Sequence, residues 1–149
     1  MYTIKDSTLI RSTPAQIFQA LTTNEGIRRW WTTDLDSDCE THEATFRFEP
    51  TAGQMHSSTF RMDSADERRI AMTCIRETNQ SGWVGTTLTY TLVPDGDRTR
   101  VELVHDGYAA KDELYAKCTK GWAFFLGSLQ RYLETGVGEP HVPVSKRAA

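Results

Sequence analysis

The chain has 149 residues, enough for one domain with a single hydrophobic core and too few for two. Its 25% of charged and 38% of hydrophobic residues exclude wholesale disorder, and its longest apolar run, residues 122–126, is far shorter than the ~20 residues of a membrane-spanning helix. The net charge of −3, with basic residues clustered only in pairs, argues against a nucleic-acid partner, because phosphate binding needs a concentrated basic surface.

A capping sequence near the N-terminus predicts the first helix. Residues 13–16, Thr-Pro-Ala-Gln, place Thr at the N-cap, Pro at the first helical position and Gln three residues after the cap. The residues before this box, from 1 to 6, are typical of a strand. A second short helix is expected from residues 23–25 onward, with Trp30 and Trp31 on its buried side.

From residue 44 onward the hydrophobic period changes to two, which indicates a run of strands. Strands are predicted over residues 44–49, 56–63, 69–78, 83–93 and 99–106, with short polar turns between them. Residues 94–97, Pro-Asp-Gly-Asp, are typical of a hairpin turn, because Pro restricts φ and Gly accepts the positive φ that the turn needs. Strands joined in this way predict an antiparallel meander.

The last predicted element is a long amphipathic helix. Residues 112–134 place apolar side chains three and four positions apart along one face, and Gly136 suits the C-terminal end of a helix. An antiparallel sheet with one apolar face needs a cover, and this helix is the element long enough to provide it. We therefore expect an α+β domain over residues 1–138, followed by a flexible tail over residues 139–149, which contains two prolines and few residues to bury.

Three stretches of the sequence resemble a known family. They are residues 13–22 closing on Trp30-Trp31, residues 98–107 with the sequence RTRVELVHDG, and residues 121–136, from Gly-Trp to Tyr-Leu-Glu-Thr-Gly. In this order they resemble single-domain relatives of the activator of heat-shock protein 90 ATPase, within the START-like (SRPBCC) superfamily. The resemblance implies the helix-grip (START-like or Bet v-like) fold, in which a curved antiparallel sheet wraps around a long C-terminal helix, with two short helices after the first strand.

The same resemblance implies a hydrophobic cavity between the sheet and the C-terminal helix. His105 has the strand parity of the apolar residues before it, and His56 has that of Phe60, so both are expected to point inward. The predicted ligand-binding cavity is formed by Trp31, Phe46, Phe48, His56, Phe60, Met72, Cys74, Tyr90, Leu103, His105, Trp122 and Phe125. Core packing is the alternative role for each of these side chains.

No catalytic residue, metal site or cofactor is predicted. Residues 34–38, Asp-Leu-Asp-Ser-Asp, resemble the first half of a calcium loop, but Cys39 stands where Gly is required and Thr45 where the loop needs a bidentate Glu. Residues 34–38 are therefore expected to form a solvated acidic edge or loop. The three cysteines are odd in number and widely spaced, which favours reduced thiols, and the sequence opens with no signal segment, so a cytoplasmic protein is expected.

These observations predict a protein that holds an apolar or amphipathic small molecule, lipid-like or polyketide-like, between the sheet and the last helix. One alternative is a chaperone-associated interaction module, suggested by the family resemblance alone. The other is a cyclase-type enzyme that uses His105 in the cavity as an acid or base. The expected partners are accordingly a hydrophobic or amphipathic small molecule or a chaperone, with no nucleic acid and no membrane span.

Overall fold

A curved antiparallel sheet wraps around one long helix in a computed structural model that describes residues 1–79 and 82–147. The elements in chain order are β1 (Tyr2–Ile10), α1 (Pro14–Thr22), α2 (Asn24–Arg28), β2 (Leu35–Asp38), β3 (Glu43–Phe48), β4 (His56–Ala65), β5 (Arg69–Thr78), β6 (Thr87–Asp95), β7 (Arg98–Tyr108), α3 (Glu113–Thr135) and a 3-10 turn (Val144–Lys146). The described strands pair in the order β1-β7-β6-β5-β4-β3-β2. The predicted α+β helix-grip architecture, with two short helices after the first strand, is confirmed.

Local sequence signals explain where α1 begins and where α3 begins and ends. The backbone N–H of Gln16 donates to Thr13 Oγ1 at 3.2 Å and the backbone N–H of Thr13 donates to Gln16 Oε1 at 3.3 Å, so the predicted capping box is formed at α1. At α3, Asp112 accepts the backbone N–H of Tyr115 at 3.0 Å, and Gly136 ends the helix at a φ of 88°, a left-handed conformation that Gly adopts without strain. The 23 residues of α3 extend over about 35 Å, long enough to cover the sheet.

The strand register places the predicted apolar faces opposite each other. Along β6 and β7, Leu88 pairs with His105 and Tyr90 pairs with Leu103, and all four side chains are buried. Side chains that face each other across neighbouring strands stabilise a sheet by packing together. The parity assigned to these strands from the sequence is therefore the one that the structure has.

The acidic segment over residues 34–38 lies at one edge of the sheet. Leu35 is buried, while Asp36, Ser37 and Asp38 are exposed along β2, which is the edge strand beside β3 among the described residues. Charged side chains on an edge strand discourage pairing with another sheet. In the part of the chain that the structure describes, no helix has the length and apolar character needed to cross a membrane.

The C-terminal segment over residues 139–149, for which the sequence predicts a flexible tail, is described as far as residue 147, and residues 148–149 lie outside the described residues. The backbone N–H of His141 donates to Trp31 O at 2.8 Å, and the backbone N–H of Thr33 donates to His141 O at 3.0 Å. Further along, the backbone N–H of Ser145 donates to the carboxylate of Glu49 at 2.7 Å. Residues 139–147, called the C-terminal strap below, are thus held by hydrogen bonds to backbone and side-chain groups of the domain, which their composition does not reveal.

Candidate functional site

A cavity of about 240 Å³ lies between the β3–β4 end of the sheet and the first three turns of α3. Its aromatic walls are formed by Trp31, Phe48, Trp83, Trp122 and Phe125. Its polar lining residues are His56, Ser58, Lys117, Cys118 and His141, and Pro50, Leu114 and Gly121 complete it. This space, called the main cavity below, is where the helix-grip fold leaves room between sheet and helix.

Helical periodicity explains which residues of α3 reach the main cavity. Leu114, Cys118, Trp122 and Phe125 follow one another at intervals of four, four and three residues, so they share one face. Gly121 lies on the same face, and a Cβ added to it would meet no atom of the described residues within 4 Å. The missing side chain at this position therefore leaves part of the cavity open.

The aromatic walls pack against one another rather than standing alone. The ring centroids of Trp31 and Trp122 are 5.4 Å apart, and those of Trp83 and Trp122 are 6.3 Å apart with nearly parallel planes. On the other side, the ring of Phe48 lies 5.7 Å from Trp31 and 6.2 Å from Phe125. Because each ring is held by at least one other, the walls present a largely preformed apolar surface.

Two histidines line the main cavity in defined hydrogen-bonded states. His56 Nδ1 lies 2.8 Å from the carbonyl oxygen of Asn79, which can only accept, so Nδ1 carries the proton. His141 Nε2 accepts the backbone N–H of Glu49 at 2.9 Å, so its proton lies on Nδ1. Burial lowers the pKa of His141, and the charge of Arg147 acts in the same direction, which keeps this imidazole neutral near pH 7.

Glu49 joins the C-terminal strap to the turn at the cavity edge. Its carboxylate accepts the backbone N–H of Ser145 at 2.7 Å and that of Gly53 at 3.1 Å. Hydrogen bonds to Ser145, followed by the one to Gly53, lower the pKa of Glu49 because they stabilise the charged form. The side chain of Glu49 therefore holds Ser145 and the turn that contains Pro50, while its backbone N–H holds His141.

His105 lies outside the main cavity, in contrast to the prediction. Its ring is fully buried, and Nδ1 accepts from the indole N–H of Trp122 at 3.1 Å and lies 2.9 Å from the hydroxyl of Tyr108. Since Trp122 can only donate, Nδ1 is an acceptor, and Nε2 carries the proton and donates to Thr86 Oγ1 at 2.9 Å. Burial lowers the pKa of His105 to about 3, so it is a neutral, fully hydrogen-bonded group beneath Trp122.

The structure divides the twelve predicted cavity residues into three groups. Trp31, Phe48, His56, Trp122 and Phe125 line the main cavity. Phe46, Phe60 and Met72 line a second cavity of about 220 Å³ beside α1, α2 and β2. Cys74, Tyr90, Leu103 and His105 are buried and line neither cavity.

A row of aromatic rings separates the two cavities. Phe46 lies 4.4 Å from Trp31 and 5.9 Å from Phe60, which in turn lies 5.9 Å from Trp83, measured between ring centroids. These rings fill the middle of the interior, so residues of the same strand parity reach different spaces. Strand parity alone could not show this division. It gives the direction in which a side chain points, but not whether that side chain ends against another ring or against empty space.

Several lining residues are absent from the predicted set. Leu114 and Cys118 belong to the amphipathic stripe of the last helix, so helical periodicity would have identified them. Lys117 lies beside that stripe, and no pattern in the sequence identifies it as a residue of the cavity. His141 lies in the strap, for which the sequence predicts a flexible tail. Within residues 1–79 and 82–147, no group of three or more His, Cys, Asp or Glu side chains is placed to hold a metal ion.

Comparison with known proteins supports this fold assignment. A family model described as "Activator of Hsp90 ATPase homolog 1-like protein" matches residues 11–134. The solution structure of the Aha1 dimer from Colwellia psychrerythraea is similar, with 26% identity, a TM-score of 0.76, and coverage of 93% of this chain and 100% of that one. No curated protein matches the sequence.

Two further solved structures show the same fold at lower identity. A protein from Chromobacterium violaceum has 20% identity and a TM-score of 0.76, with 90% of this chain and 99% of that chain covered. CalU16 from Micromonospora echinospora has 17% identity and a TM-score of 0.68, with 92% and 76% covered. At these identities the similarity concerns the fold alone.

Proposed function

The chain belongs to the activator of Hsp90 ATPase homolog 1-like family, whose model matches most of its length, and we propose that within this family it binds a small aromatic molecule in the main cavity. The observation that carries the proposal is the cavity itself, about 240 Å³ of space with five aromatic walls. Such concave, mostly apolar spaces with a few polar groups are typical of small-molecule sites.

The volume of the main cavity limits the size of the ligand. An apolar cavity of about 150 Å³ is known to hold one benzene molecule. A cavity of about 240 Å³ therefore suits two fused rings, and a long acyl chain would extend beyond it. Of the two ligand types expected from the sequence, the polyketide-like one fits better than the lipid-like one.

The expected affinity is moderate. A two-ring ligand has about 12 heavy atoms, and at about 0.5 kcal/mol per atom its binding free energy is about 6 kcal/mol. This corresponds to a Kd on the order of 40 µM. The protein would act by sequestration, because it would shield the rings of the ligand from water and would not convert the ligand chemically.

The ionisation of the groups near the main cavity favours binding over catalysis. Burial raises the pKa of the Cys118 thiol, which keeps it protonated and a poor nucleophile at neutral pH. The cyclase-type alternative relied on His105, whose ring nitrogens are both engaged by buried partners and whose pKa is lowered to about 3. The histidines that line the main cavity are His56 and His141, so His105 cannot serve as an acid or base there.

A chaperone-associated role is the second candidate, and the relative from Colwellia psychrerythraea, named Aha1, favours it. It is tested by a pull-down with the Hsp90 homologue and by ATP turnover of that chaperone. Binding accompanied by a change in turnover supports this role, and no binding contradicts it. A cytoplasmic location, which we also propose, fits Cys39, Cys74 and Cys118, all of which are free thiols.

Ligand binding is tested with 2-naphthol, a neutral two-ring probe, by quenching of tryptophan fluorescence. Three tryptophans line the main cavity, so an occupied cavity is expected to change the emission. The variant Gly121→Leu fills the open space in front of Gly121 and is expected to weaken binding at least tenfold.

The matched control for this test is Ala123→Leu, on the exposed face of the same helix. It adds the same side chain outside the main cavity and is expected to bind 2-naphthol as the natural protein does. Saturable quenching that Gly121→Leu abolishes and Ala123→Leu retains supports the proposal. Absence of quenching, or equal binding by both variants, contradicts it.

A further inference from the structure

The polar side chains that line the main cavity are basic or neutral. Lys117 reaches it from α3 and His56 from β4, together with the hydroxyl of Ser58. Among the described residues that line it there is no Asp or Glu. The second cavity is the opposite, since Asp38 and Glu43 line it and none of its described lining residues is Lys or Arg. The two cavities therefore favour ligands of different charge.

Lys117 is placed to supply a positive charge at the rim of the main cavity. Its side chain is exposed, and it forms no ion pair with any described residue. Lys120, one turn further along α3, does not line the main cavity. An ammonium group with no ion-pair partner among the described residues, beside an apolar space, provides a countercharge that offsets the hydration an anionic ligand loses on leaving water.

Ser58 adds a hydrogen-bond donor inside the same cavity. The residue is 4% exposed, lines the cavity wall, and its hydroxyl makes no hydrogen bond to a residue within the described ranges. A hydroxyl on the cavity wall can donate to a ligand oxygen that reaches it. Lysine at the rim and serine on the wall thus both favour an oxygen acceptor.

We propose that the ligand is a planar aromatic carboxylate of about two rings, whose anionic group pairs with the ammonium of Lys117 while its rings lie against the tryptophan walls. This inference rests on the proposed function, because it names the class of ligand for the same cavity. It goes further in assigning a charge to the ligand and a specificity role to one residue. A neutral ring of the same shape would fill the space but leave Lys117 without a partner.

The experiment compares 2-naphthoate with 2-naphthamide, a neutral analogue of the same shape, by tryptophan quenching at pH 7 and low salt. The natural protein is expected to bind the carboxylate about five- to tenfold more tightly than the amide. Added salt is expected to reduce this preference, because it screens charges at the rim.

Two variants and one control identify the group responsible. Lys117→Met is expected to bring the two affinities within about twofold, and Lys117→Arg to retain the preference for the carboxylate. Lys120→Met, which removes a lysine outside the cavity, is expected to behave as the natural protein does.

The outcomes separate this inference from the proposed function. Equal affinity of the natural protein for both probes overturns the anionic ligand and leaves ring binding in place. A preference that persists in Lys117→Met overturns the role of that lysine. Absence of binding by both probes contradicts the proposed function and this inference with it.

Discussion

The buried imidazole of His105 provides the sharpest test of the interior. In His105→Leu, the indole N–H of Trp122 and the hydroxyl of Tyr108 lose their buried acceptor. Thr86 is less affected, since its hydroxyl still donates to the carbonyl oxygen of Trp83 at 2.6 Å. At about 1–3 kcal/mol for each orphaned buried donor, the variant is expected to be about 4 kcal/mol less stable at pH 7.

The same residue makes stability depend on pH. Burial lowers the pKa of His105 to about 3 in the folded protein, whereas in the unfolded chain it is close to 6.5, the ordinary value of histidine, so below pH 6.5 the unfolded state binds more protons. The folded state therefore loses stability as the pH falls from 6.5 towards 3. At pH 5 this loss is about 2 kcal/mol relative to pH 7, since each pH unit over this range is worth about 1.4 kcal/mol.

Urea denaturation at pH 7 and pH 5 measures both effects. His105→Gln keeps a hydrogen-bonding side chain but does not titrate, so it is expected to lose about 2 kcal/mol less than the natural protein between the two pH values. This variant also keeps the test available if His105→Leu fails to fold. A destabilisation below about 1 kcal/mol in His105→Leu, or identical pH dependence of the natural protein and His105→Gln, would refute the reasoning.

Three further substitutions test other parts of the structure. Gly121→Ala is expected to stabilise α3 by about 1 kcal/mol and Ala123→Gly to destabilise it by about as much, both measured by thermal denaturation. A loss of stability in Gly121→Ala would contradict the open space at Gly121. Thr13→Ala removes the capping box of α1 and is expected to cost about 1 kcal/mol in urea denaturation, so an unchanged midpoint counts against it. Glu49→Gln replaces one acceptor oxygen by a donor, so hydrogen exchange at the amide of Ser145 is expected to accelerate, and unchanged exchange would show that the strap does not depend on this carboxylate.

The fold could be predicted because its signals are local and agree with one another. The capping box at residues 13–16, the two-residue period of the strands and the long apolar stripe of α3 each specify one element. The C-terminal strap could not be predicted, because backbone hydrogen bonds of His141 and the buried carboxylate of Glu49 hold it in place. Neither contact leaves a periodic pattern in the sequence.

The candidate site could be predicted only in part. Strand parity correctly gave the inward direction of Phe48 and of His105, but one lines the main cavity and the other is sealed beneath Trp122. What decides between these positions is the long-range packing of rings, such as Phe46 on Trp31. The sequence specifies which side chains face inward, and only the assembled core shows which of them border empty space.

The central claim is that the main cavity takes up a two-ring aromatic molecule, and the indole N–H signals of the four tryptophans in a ¹H–¹⁵N NMR titration test it most directly. Trp31, Trp83 and Trp122 line the main cavity, whereas the N–H of Trp30 donates to Ala20 O at 2.7 Å and lies away from it. With 2-naphthol, the account predicts saturable shifts of the first three signals and a much smaller shift for Trp30. Unchanged signals for Trp31, Trp83 and Trp122 at saturating probe would contradict it.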